Sequence, residues 1–106
     1  MNPAQDQARI ELGRVVDRLR TMPLVRLAGP WPPYATRAEG ARALAQRLAD
    51  RAADLGGWPR HPIPDVGDAA VGDQVAVTGA DLLALDPSPD ELAAVAADLR
   101  EVRLSL

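Results

Sequence analysis

The chain contains no cysteine, no lysine and no phenylalanine, and a single histidine. Without cysteine, disulfides and thiolate metal sites are excluded, so a fold of this size must be held by packing or by association. His61 is the sole imidazole, and no Glu-x-x-His spacing exists to supply a zinc or di-iron site, so neither metal nor cofactor is expected. Serine occurs only at Ser88, placed as a helix cap, and at Ser105, so nucleophilic catalysis has no candidate and the chain reads as a non-enzyme. Glycine-rich phosphate loops are absent too, because Gly56-Gly57 follows a helical stretch where a phosphate cradle would precede one. No apolar run approaches the roughly 18 residues a membrane helix needs, and Met1 to Arg9 lack a basic start followed by an apolar stretch. The expectation is a cytoplasmic protein with no membrane partner.

What is present is abundant Ala, Pro and Arg, the codon signature of a high-GC bacterial genome, in 106 residues that make one domain, 1–106. Net charge is −3, which disfavours nucleic acid as a partner. The signs are segregated: residues 1–55 hold nine Arg against six acids, residues 56–106 three Arg against nine acids. Such halves attract along the seams of a folded chain; alternatively, an Arg face including Arg9, Arg14, Arg18, Arg42 or Arg47 meets an acidic protein. Asp50 and Asp54 share a helix face, which Arg47 and Arg51 are expected to neutralise.

Apolar residues recur at helical spacing in four segments, each with a start signal. Helices are predicted over 3–22, 36–56, 67–85 and 88–104, an all-α four-helix bundle. The first is opened by Asn2 with Pro3 in the first turn, with Gln5 reaching back; the second by Thr36 and Glu39; the fourth by Ser88, Pro89 and Glu91. Gly56-Gly57 stops the second helix. The third is the ambiguous one, because Gly72 and Gly79 each weaken a helix by about 1 kcal/mol and residues 74–78 also read as a short strand. The tight Asp86-Pro87 joint implies that the third and fourth helices are antiparallel neighbours. The longer connections, 23–35 and 57–65, have length enough to cover a bundle end or run along its side.

Two Pro-aromatic loops hold every aromatic residue: Trp31 and Tyr34 in one, Trp58 beside Arg60 in the other. Trp, Tyr and Arg dominate the energetic centres of interfaces. The third helix carries a second apolar line, with Val77, Ala80 and Leu83, around too much of its circumference for a solvated outer face. These residues form the candidate interface. The functional expectation is a self-associating adaptor that forms a homodimer and presents its Trp loops to a protein partner. Two alternatives stand beside it: a small-molecule binding bundle whose pocket is framed by Trp31, Tyr34, Trp58 and Arg60, and an acidic neutralising partner of a basic protein.

Overall fold

A computed structural model describes residues 2–106. It is all-α: α1 (Pro3–Thr21), a single-turn α2 (Leu24–Leu27), α3 (Arg37–Gly56), α4 (Val71–Leu83) and α5 (Pro89–Ser105). The four long helices match the four predicted ones. Residues 74–78 lie inside α4 and form no strand. α4 is shorter than predicted, because residues 68–70 make a 3-10 turn and the chain leaves the helix after Leu83. The turn α2 lies within a stretch read as loop.

The helix starts follow the capping logic of the sequence, with differences in the return contacts. Asn2, Thr36 and Ser88 each accept the backbone N–H three residues on, at 3.2, 3.0 and 3.2 Å. Glu39 does reach back, accepting from Ala35 N at 2.9 Å. Gln5 and Glu91 instead reach other helices: Gln5 Nε2 donates to Leu83 O and Glu91 pairs with Arg51. At the end of α3, Gly57 adopts φ 77° and both its N–H and that of Trp58 donate to Ala53 O, closing the last turn.

Packing sets the topology. α4 runs antiparallel to α1, with Arg20 on Asp73 at one end and Gln5 on Leu83 at the other. Their contact explains the two glycines that weaken α4 locally. A methyl on Gly79 would strike Leu12, and one on Gly72 would come within 2.9 Å of Arg20 Cγ, so both helix axes approach where a side chain would hold them apart. α5 runs parallel to α1, its Leu92 clustered with Ala8 and its last residues beside the segment following α1, where Arg26 Nη2 donates to Leu106 O at 3.2 Å. α4 packs against α1 and α3, whereas α5 packs against α1. The expected side-by-side pairing of α4 and α5 therefore does not occur. Residues 84–88, with Asp86 at φ 53° and Pro87 buried, carry the chain diagonally across one end of the bundle.

α3 and α4 both descend, so residues 57–67 must climb back along the bundle. Gln46 of α3 holds that return, donating to His61 O at 3.0 Å and accepting from Ile63 N at 2.7 Å. Arg42 Nη2 lies 3.0 Å from Asp65 Oδ1, out of line for a hydrogen bond but close enough for ionic attraction. The core is Leu, Val and Ala: Leu19, Leu44, Leu48, Leu82, Leu92 and Leu99 are fully buried, each contributing about 1.5–3 kcal/mol. The radius of gyration, 13.2 Å, equals the roughly 13 Å expected of a compact chain this long, so the absence of Phe is met by close approach at Ala and Gly.

Candidate functional site

The charge segregation is resolved mostly inside the molecule. Arg20–Asp73, Arg42–Asp65, Arg47–Asp98, Arg51–Glu91 and Arg103–Glu11 all join one half to the other. Arg60, like Arg103, runs in the reverse sense, with Nη2 on Asp54 and Nη1 3.7 Å from Asp50. Asp50 and Asp54 are thus neutralised by a loop arginine rather than by Arg47 and Arg51, which cross to α5. Of the five arginines first grouped as a face, Arg42 and Arg47 are committed to these pairs and Arg14 to Glu11.

α3 and α5 face each other across a wider seam, spanned by long side chains. Arg47 donates Nε to Asp98 Oδ2 and Nη2 to Oδ1, both at 3.0 Å, the two-pronged geometry that a guanidinium makes with a carboxylate. Its hydrogen bond to Asp98 raises the Arg47 pKa above the ordinary guanidinium value, against the opposing effect of partial burial. Above this pair sit the aromatics. Trp31 and Tyr34 stack with centroids 5.6 Å apart and planes 23° apart; Trp31 Nε1 donates to Ser105 O at 3.1 Å, and the Tyr34 hydroxyl accepts from Arg47 Nη1 at 3.3 Å. Gly40 makes the seat, since a methyl there would overlap the indole. Pro32 and Pro33 are joined by a cis peptide. The result is an open cleft of about 340 Å³ lined by the two aromatics with Arg47, Asp98, Glu101 and Ser105.

A second region lies on α4. Val77 is 59 % exposed, and Ala80 is also exposed. This ridge is flanked by two grooves. One, about 370 Å³, is bounded by Ile63, Pro64, Val66 and Ala70 of the returning segment; the other, about 260 Å³, by Leu12 and Gly13 of α1 with Ala76 and Ala80. Val66 is 63 % exposed, so the first groove has an apolar lip as well as an apolar floor.

The seven candidate interface residues therefore part company. Trp31 and Tyr34 meet; Val77 and Ala80 share the α4 ridge. Leu83 turns inward, buried with Ala8 and Leu92, because its position on α4 faces the α1–α5 side rather than the outer line. Trp58 and Arg60 lie at the far end of α3: Trp58 rests on Gly56, sixteen residues and about 24 Å from Gly40. A pocket framed jointly by Trp31, Tyr34, Trp58 and Arg60 does not form. Asp98, Glu101 and Ser105 complete the aromatic cleft although no local pattern marks them, since they reach it only through the folding of α5. Among the described residues no group of three or more His, Asp and Glu side chains is placed to hold a metal ion, and no helix is long and apolar enough to cross a membrane.

No protein-family model matches the chain, and comparison with curated proteins and with solved structures likewise finds no match. Function has to be read from these two surfaces, since a helical bundle as such carries many activities.

Proposed function

We propose that the protein is a non-catalytic interaction module that pairs with a second copy of itself through the outer face of α4. The observation that carries this reading is the exposed Val77 ridge beside the apolar groove of Ile63, Pro64 and Val66. A ridge bordered by a groove suits a two-fold pairing, in which each copy inserts its ridge into the other's groove.

Charge constrains how a second copy can sit. A two-fold interface sets residues against their own equivalents, so unpaired charges at its rim repel. Three of the acids near this face are answered within the chain, Asp73 by Arg20 and Asp65 and Asp68 by Arg42, whereas exposed Asp81, one turn beyond Val77, has no ion-pair partner among the described residues. The aromatic cleft lies on the α3–α5 seam, to which α4 contributes nothing, so pairing leaves it open to a further partner. A chain without cysteine needs no oxidising compartment, which supports a cytoplasmic setting.

Size-exclusion chromatography with light scattering at micromolar concentration tests the pairing. Wild-type protein is expected to elute as a dimer and Val77→Asp as a monomer with unchanged circular dichroism. A monomeric wild type, or a dimer indifferent to the substitution, removes this reading.

A further inference from the structure

We propose that the cleft between α3 and α5 binds a guanidinium group, held by the Glu101 carboxylate against the Trp31–Tyr34 stack. Charge selects a cation. Arg47 is the one basic residue lining the cleft, and its Nε, Nη2 and Nη1 already serve Asp98 and Tyr34. Asp98 neutralises it. Glu101 is left over: exposed, lining the same cleft, and without an ion-pair partner among the described residues. An anion entering here would meet a surplus carboxylate, whereas a cation supplies the missing partner.

Shape narrows the cation. Trp31 and Tyr34, with Pro32 and Pro33 beside them, make an aromatic wall of the cleft. A planar, weakly hydrated guanidinium can lie against such a wall while its edge pairs with a carboxylate, which a compact and strongly hydrated ammonium does less well. The volume of about 340 Å³ is at the small end of ligand sites and suits one side chain or a small molecule. Trp31 is itself held by Ser105 O and seated on Gly40, so the wall is in place before anything binds.

The site lies apart from the α4 face, so its test is independent of dimerisation. In a Trp58→Phe background Trp31 is the sole tryptophan and its fluorescence reports on the cleft. Titration with N-acetyl-argininamide is expected to give a saturable change, with a Kd on the order of millimolar. Glu101→Gln should weaken it about tenfold without altering the thermal melt, because Glu101 is exposed and makes no structural ion pair. A tri-arginine peptide that binds more tightly identifies a protein chain as the source of the group; equal affinity identifies a free small molecule. The proposal fails if neither probe saturates, if Glu101→Gln leaves the affinity unchanged, or if N-acetyl-lysinamide binds equally well.

Discussion

Glu11 of α1 and Arg103 of α5, 92 positions apart, meet at 3.0 Å with Glu11 only 1 % exposed. The other carboxylate oxygen accepts from Gln7 Nε2 at 3.3 Å and Arg14 Nη1 at 3.4 Å. A buried carboxylate is tolerated because it is paired and hydrogen-bonded, here across the packing of α1 against α5.

Removing one partner exposes the cost. Arg103→Ala is expected to destabilise the protein by about 3 kcal/mol in urea unfolding, since the buried charge loses its best contact. Replacing both residues by leucine should recover most of the loss. A single mutant within about 0.5 kcal/mol of wild type would show that the pair does not hold these helices together.

Glycine-to-alanine substitution should change sign with position. Gly13 sits in α1 with nothing within 4 Å of where an added methyl would lie, so Gly13→Ala is expected to stabilise by up to about 1 kcal/mol through helix propensity. Gly79→Ala gains the same propensity but drives a methyl into Leu12, and a net loss of about 1–3 kcal/mol is expected. Thermal melts of the two variants settle whether close approach of α1 and α4 is the reason for glycine in α4.

Gly40→Ala should displace Trp31 from its seat, with a red-shifted fluorescence spectrum in the Trp58→Phe background and a loss of about 1–3 kcal/mol. Gly56→Ala should cost less. Trp58 is 46 % exposed at the end of α3 and has solvent to swing into, whereas Trp31 is bound on its far side to Ser105.

Asp54 provides the pH test. Its hydrogen bond to Arg60 holds its pKa below the ordinary 3.8. A carboxylate with a depressed folded-state pKa stabilises fully above its unfolded value and loses that contribution as pH falls through the folded value. Arg60→Ala should therefore bring the Asp54 titration, followed by NMR, back toward 3.8. Any stability difference between variant and wild type should vanish at pH values below the folded-state pKa. An unmoved Asp54 titration would mean that the pair does not persist in solution.

Local signals reached the helices because each depends on neighbours a few residues away. Leu44 and Leu48 recur at the helical repeat, Thr36 caps the turn that follows it, and Gly57 reverses the backbone where φ must be positive. The glycines of α4 left that segment ambiguous for the same reason. Propensity counts their local cost, whereas their benefit is a contact with Leu12 and Arg20 on another helix.

Composition and periodicity alone determined that this protein is a cysteine-free set of four amphipathic helices, since hydrogen bonds within a helix and caps at its ends are settled within a few residues of chain. Tertiary structure decided which helices are neighbours, and with that the site. The climb of residues 57–67, gripped by Gln46, sets α4 parallel to α3, and the diagonal at Asp86-Pro87 sends α5 to α1. Only then do Asp98 and Glu101 arrive beside Trp31 and Tyr34. The physical reason is that ion pairs and apolar faces act through space, so their partners are chosen by the packing of whole helices rather than by spacing along the chain.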